Sequence, residues 1–406
     1  MRIALINWTN RHVGGAETYL ARLIPQLLQA GHLLFFWHEG IEPSDRDVIA
    51  GSATLPASCV QQMGADAALR TLREWRPDVL YMHGVTKPEL ERRLLVIAPA
   101  VLLAHNYYGT CVSGGKAYQN PSSRPCSRRF GLSCLALYYP RRCGGLSPVT
   151  MMRDYQRQSQ RRTLLSQYES IVTLSGHMRD EYIRHGVAPD SVHCLPSLQE
   201  SDEAQIVATK SLPASGDVAC RLAFIGRMDH LKGCSVLLAA LPIVSAALGR
   251  VVLTIAGDGA EMTECVRVAD RLRKDSNIDV AFLGWVGKSV RRDLLATTHV
   301  LVMPSLWPEP HGLVGLEALL QGVPVTAFAV GGIPEWLEDG VTGTLAPADP
   351  PTASGLAAAI IRCVSTPAIR RTLESLGQRP PSSSIADHVA AISGVLHRAS
   401  VSSRAF

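Results

Sequence analysis

The sequence predicts an α/β protein built from two doubly wound parallel-sheet domains, and three observations predict it. Short apolar, β-prone runs alternate with helical spacings along most of the chain. That alternation breaks once, in a polar stretch between Leu198 and Asp217. The chain has 406 residues, 47% of them apolar and 18% charged, which is enough for two or three cores. Its 33 glycines and 25 prolines are spread out, which excludes collagen-like, coiled-coil and disordered classes. Forty basic against 35 acidic side chains leave +5, too small an excess to imply a nucleic-acid partner.

In the first domain, Ile3 to Asn7 reads as a strand, Gly14-Gly15 as a turn, and Ala16 to Ala30 as a helix with Leu20, Leu23, Ile24, Leu27 and Leu28 on one face. Leu33 to Trp37, Val79 to Met82, Val101 to Ala104 and Ile171 to Leu174 continue as buried strands, with a helix over Arg153 to Gln167. In the second, strands are expected near Leu222 to Gly226, Val251 to Ala256, Val280 to Leu283, Val300 to Met303 and Val323 to Ala327. The expected boundaries are 1–198, a linker over 199–217, and 218–384, with an amphipathic helix in 385–406 crossing back to the first domain and Ala399 to Phe406 frayed. Two such domains facing across a cleft would put the function at the carboxyl ends of their sheets.

The first apolar run is too short for a signal peptide, and Val236 to Gly249 is too short, with Pro242 inside it, for a membrane helix. A reducing, cytoplasmic setting is expected, in which the ten cysteines are thiols or metal ligands.

Three motif pieces sit where second-domain strands end. Gly226-Arg227 and Lys232-Gly233 offer a guanidinium fork and a point charge that can converge on one anion such as a diphosphate. Only six of the 40 basic residues are lysines, so Lys232 in a motif is informative. Gly257-Asp258-Gly259 is a turn that permits positive φ or close backbone approach. Pro308 to Ala318 places Glu309 in a loop and starts a helix near Gly312; the amides of Gly312, Leu313 and Val314 make an anion site, and Glu317 lies about one and a half turns inside. Carboxylates beside an anion site accept from hydroxyls, so the set suits a ligand with sugar-like hydroxyls on both sides of a diphosphate.

The combination Gly-Arg-x4-Lys-Gly, Gly-Asp-Gly and Glu-Pro-x-Gly-Leu-x3-Glu-Ala resembles the retaining glycosyltransferases of family 4, strongly over Arg221 to Pro347 and more loosely in the first domain. The resemblance implies the GT-B fold and transfer of a sugar, with retention, from a nucleoside-diphosphate sugar of UDP or GDP type to a sugar, lipid-linked or small-molecule acceptor hydroxyl. It implies that Arg227 and Lys232 neutralise the donor diphosphate, Glu317 holds the ribose, Glu309 and the amides of Gly312 to Val314 meet the donor sugar and phosphates, and Trp285 and Val286 line the base. Gly331-Gly332-Ile333-Pro334-Glu335 matches the turn usual after the ribose-binding helix. Gly15 belongs to a donor-facing glycine loop, and His105 contacts the transferred sugar as a catalytic residue beside Glu309, Arg227 and Lys232. His311 stands where Phe is common, and Asn106 where Asp is common. No metal or other cofactor is implied.

His83 is a second first-domain candidate. Cys111, Cys126, Cys134 and Cys143 lack a Cys-x2-Cys pair and read as thiols of an acceptor loop, with a zinc site as the alternative. Arg153, Arg157, Arg161 and Arg162, interleaved with Met151, Met152, Tyr155, Leu164 and Leu165, suit either an ordinary solvated helix or an anionic membrane surface, so the expectation is a protein that is soluble or attached peripherally to the inner face of the cell membrane. The expected setting is bacterial polysaccharide or glycolipid synthesis; the alternatives are a sugar-nucleotide epimerase and a nucleotide-sugar-binding protein without turnover.

Overall fold

A computed structural model describes residues 1–195, 219–275, 277–376 and 385–402. Of these, 1–114, 128–195 and 385–402 form one compact unit, and 115–127, 219–275 and 277–376 form the other. The sequence assigns all of 1–198 to the first domain; residues 115–127 instead group with the second unit. The expected linker over 199–217 and the boundary at 384 lie outside the described residues.

The strands in chain order are β1 (Arg2–Thr9), β2 (Leu33–Gly40), β3 (Ala57–Cys59), β4 (Val79–Met82), β5 (Ala100–Leu103), β6 (Ala117–Tyr118), β7 (Arg124–Pro125), β8 (Ser170–Thr173) and β9 (Val192–Cys194). Then come β10 (Cys220–Ile225), β11 (Val251–Ala256), β12 (Ile278–Gly284), β13 (Val300–Met303), β14 (Val325–Phe328) and β15 (Gly343–Ala346). The first unit's sheet runs β3-β2-β1-β4-β5-β8-β9 and the second's β12-β11-β10-β13-β14-β15, all parallel. In each, strand order reverses after the first strand, between β1 and β4 and between β10 and β13. That is the doubly wound pattern, and its reversal opens a crevice at the carboxyl edge.

Parallel strands are covered on both faces, which is why β13 and β14 are buried at every residue. The helix Cys234–Leu248, with the turn before it, spans the one described stretch long and apolar enough to cross a membrane. Its Leu237, Leu238, Leu241 and Val244 are fully buried in this unit's core, where the helix packs against β11, β12 and the helix Ala353–Ser365, so it is a core helix of this unit.

The helix Ile385–Ser402 seats Val389, Ile392, Val395, Leu396 and Ala399 in the first unit's core beside Leu20, Leu23 and Ile24. His388 Nε2 lies 2.8 Å from the Tyr19 hydroxyl. Residues 399–402 were expected to fray but continue this helix, with Ala399 held by apolar contact; 403–406 lie outside the described residues. The helix expected over Arg153 to Gln167 starts earlier, at Pro148, and runs as α-helix to Leu164 and as a 3-10 turn over Leu165–Gln167; proline suits the first helical turn because its missing N–H would lack a helical acceptor anyway.

Candidate functional site

In the second unit, the motif residues gather at the carboxyl edge beside the β10/β13 reversal. β10 ends at Ile225, and Gly226-Arg227 lead into one turn of 3-10 helix over His230–Lys232. Asp229 caps that turn: its Oδ1 accepts from the Lys232 amide at 3.2 Å, and its Oδ2 lies 3.3 Å from the Arg227 guanidinium. Gly233 follows at φ 71°, where a Cβ would stand 1.9 Å from the Pro304 carbonyl oxygen. The Leu306 amide donates to the Leu231 carbonyl at 2.8 Å. The loops after β10 and β13 are thus pressed together, and Lys232 Nζ donates to Glu309 Oε1 at 2.6 Å.

Glu309 is 3% exposed and also accepts from the Ser305 hydroxyl at 2.6 Å. Burial alone pushes its carboxyl up, but the Lys232 ammonium and hydrogen bonds from Lys232, Ser305 and Trp307 together hold it below the ordinary carboxylate range. Its backbone is clamped from the far side. The Gly332 amide donates to the Glu309 carbonyl at 2.8 Å, and Gly331, at φ 58°, comes so close that a Cβ would sit 2.2 Å from that oxygen. The Gly331-Gly332 turn therefore acts on Glu309 directly.

The helix Leu313–Leu320 begins after Gly312, so the Leu313 and Val314 amides have no acceptor in the preceding turn. Its start is braced by Trp336, whose indole donates to the His311 carbonyl at 2.5 Å. Glu317, about a turn inside, pairs with Arg291 of the helix Lys288–Ala296 at 3.2 Å. Gly257 lets two strand ends close up, since a Cβ there would stand 1.8 Å from the Gly226 carbonyl oxygen; its own amide donates to the Gly284 carbonyl at 2.7 Å. Trp285 and Val286 follow β12, half-buried.

Lys232 and Glu309 thus meet directly, and Arg227 shares the loop through Asp229. Glu317 is oriented by its ion pair with Arg291. Asp229, Arg291, Ser305 and Trp336 were missed from the sequence. Asp229 carried a signal, a capping side chain three residues before Lys232; Ser305 is four residues before Glu309 in one loop, without a motif to mark it, and Arg291 and Trp336 are brought near only by the fold.

In the first unit, His105 follows β5 at the carboxyl edge, and its Nε2 lies 3.2 Å from Nδ1 of His83, which follows β4. The rings stack with centroids 5.4 Å apart, and Tyr19 packs edge-on to His105. Burial pushes His105 down to about 4 and His83 well below its ordinary value, with His105 adding to the latter, so both rings are neutral at pH 7. Asn106, where a carboxylate was missing, spends its Oδ1 on the Tyr108 amide at 3.0 Å. Gly15 is the exposed first residue of the helix Gly15–Gln29, and the Glu17 carboxylate folds back onto the Gly14 amide at 2.9 Å.

No disulfide joins any of the ten cysteines, and among the described residues no three His, Cys, Asp or Glu side chains gather as a metal-ligand set. Cys126 belongs to the second unit while Cys111, Cys134 and Cys143 belong to the first. Three of the four arginines expected to face a membrane are engaged with protein. Arg157 donates to the Thr86 carbonyl, Arg162 to Phe130, and Arg161, 4% exposed, donates to Val85 and Thr86 and lies 3.9 Å from the Tyr108 ring centroid.

Residues 219–366 match the family model described as Glycosyl transferases group 1. The chain is 27% identical over 403 residues to a glycogen synthase of Mycobacterium tuberculosis, covering 91% of this chain and 87% of that one. Among solved structures it resembles HepE of Anabaena in complex with UDP-glucose, at TM-score 0.65 and 18% identity over 98% of this chain and all of that one. It also resembles WaaG, a glycosyltransferase involved in lipopolysaccharide biosynthesis, at TM-score 0.68 and 15% identity over 97% of this chain and 99% of that one. At these identities the structural likenesses establish the fold. Residues 219–366 are thus a glycosyl transferases group 1 domain, carried on a chain with the GT-B fold.

Proposed function

We propose that this protein is a glycosyltransferase of the retaining, family 4 type, which moves a sugar from a nucleoside-diphosphate sugar to an acceptor hydroxyl. The observation that carries this reading is the Lys232–Glu309 pair at the strand-order reversal of a group 1 domain, with Arg227 on the same loop. Lys232 uses one ammonium hydrogen on Glu309 and keeps two for a phosphate oxygen. Arg227, half-exposed, can turn from Asp229 to a more highly charged diphosphate. Together with the Leu313 and Val314 amides they stabilise the charge that grows on the leaving diphosphate. Glu309, kept ionised, accepts from a donor-sugar hydroxyl, and Glu317, oriented by Arg291, accepts from the ribose. The departing phosphate oxygen takes the acceptor proton. Neutral His105, backed by His83, offers a ring nitrogen to the sugar undergoing transfer.

The donor is a UDP or GDP sugar and the acceptor a sugar or lipid-linked hydroxyl in bacterial polysaccharide or glycolipid synthesis, a setting suggested by the names of the relatives. Peripheral attachment at the cytoplasmic face is part of the same reading. It is supported by exposed Leu132, Leu146, Val149 and Met152 beside exposed Arg128, Arg129, Arg142 and Arg153. The test is incubation of purified protein with UDP- and GDP-sugars, with and without acceptor sugars, with product configuration read by nuclear magnetic resonance. An α-donor giving an α-linked product supports the reading; an epimerised sugar formed from donor alone, or an inverted linkage, contradicts it.

A further inference from the structure

The excursion 115–127 leaves the first unit's chain and joins the second, and its Ser123, which no motif includes, touches the candidate diphosphate loop. β6 and β7 pair antiparallel, Ala117 with Pro125 and Tyr118 with Arg124, and the Cys126 amide closes the hairpin on the Lys116 carbonyl at 2.8 Å. Arg124, in the pair nearest the loop, pairs with Asp349 at 3.0 Å. At its tip, Ser123 Oγ lies 2.8 Å from His230 Nε2. The other ring nitrogen of His230, Nδ1, lies 3.5 Å from Glu261 Oε1, and Glu261 is tied by its amide to the Met228 carbonyl at 2.9 Å.

His230 is the first residue of the turn that ends in Lys232, midway between Arg227 and Lys232. Its neighbour Asp229 lies against the Arg227 guanidinium and accepts from the Lys232 backbone amide, so it ties the two ends of the turn together. The His230 imidazole is therefore the handle by which the middle of this loop is held, with Ser123 on one nitrogen and Glu261 on the other. We propose that Ser123 is a positioning residue for donor binding: the hairpin 117–125 is a strap that fixes the diphosphate loop through His230. This rests on the reading of Arg227 and Lys232 as a diphosphate site, and the test keeps the two apart. A single neutral hydrogen bond contributes enough to change affinity by about twofold to tenfold.

UDP and GDP are titrated calorimetrically into the full-length protein and into the variants Ser123→Ala, Ser123→Thr, His230→Ala, the Ser123→Ala/His230→Ala double and Arg227→Ala. The strap predicts weaker diphosphate binding in Ser123→Ala by about twofold to tenfold, recovery in Ser123→Thr, and a double variant no weaker than His230→Ala alone. A donor KM that rises while kcat holds, at unchanged melting temperature, separates positioning from a general loss of structure. Unchanged affinity in Ser123→Ala, or additive losses in the double, overturns the strap while Arg227→Ala still binds poorly. Full affinity in Arg227→Ala overturns the diphosphate reading itself, and the strap with it.

Discussion

Glu309 combines near-complete burial with a carboxyl held ionised, a combination that depends on its partners. Removing the ammonium strands a charge in a low-dielectric pocket, so Lys232→Ala should lower stability as well as turnover, by roughly 2 kcal/mol given that Lys232 keeps some solvent contact. Lys232→Ala combined with Glu309→Gln should recover much of the stability and none of the activity; urea unfolding and a transfer assay separate the two effects. His105 gives a second prediction. Its folded-state value of about 4 lies below the ordinary 6.5, so between those values the unfolded chain binds more protons than the native one, and stability falls as pH falls through that window. From pH 7 to pH 5 this amounts to about 2 kcal/mol. His105→Asn should flatten that part of the slope in urea midpoints taken every half unit; an unchanged slope would contradict a neutral buried ring.

Among the elements, the turns at strand ends hold the site together more than the helices do. Gly233 is left-handed and faces the Pro304 carbonyl with no room for a Cβ. Gly233→Ala is therefore expected to cost at least about 2 kcal/mol and to separate the β10 and β13 loops, observable as a lower urea midpoint together with weaker nucleotide binding. These turns were legible because glycine and proline mark them, and Val251–Ala256 and Val300–Met303 were legible because doubly covered strands are continuous apolar runs. Ala57–Cys59, Val192–Cys194 and Gly343–Ala346 were not, since they are three or four residues long and carry Ser, His or Thr. The burial of Arg161 was not legible, because helical spacing shows which residues share a face and not which carbonyls wait opposite.

For the whole molecule, motif order along the second half of the chain carries most of the information, because each motif ends a strand of one sheet and the sheet's reversal selects which ends become neighbours. Lys232 and Glu309 are 77 positions apart and yet bonded. That both lie at strand ends of one sheet was foreseeable; the bond between them was not. The ion pair of Glu317 with Arg291 and the passage of 115–127 into the second unit were not, since neither has a local sequence mark. The central claim is that the loop Arg227–Lys232 grips a diphosphate. Its most direct measurement is the UDP or GDP affinity of the wild-type protein against Arg227→Ala, a half-exposed substitution that should leave folding intact. A loss of about tenfold or more at unchanged melting temperature is predicted; equal affinity in the two proteins would contradict it.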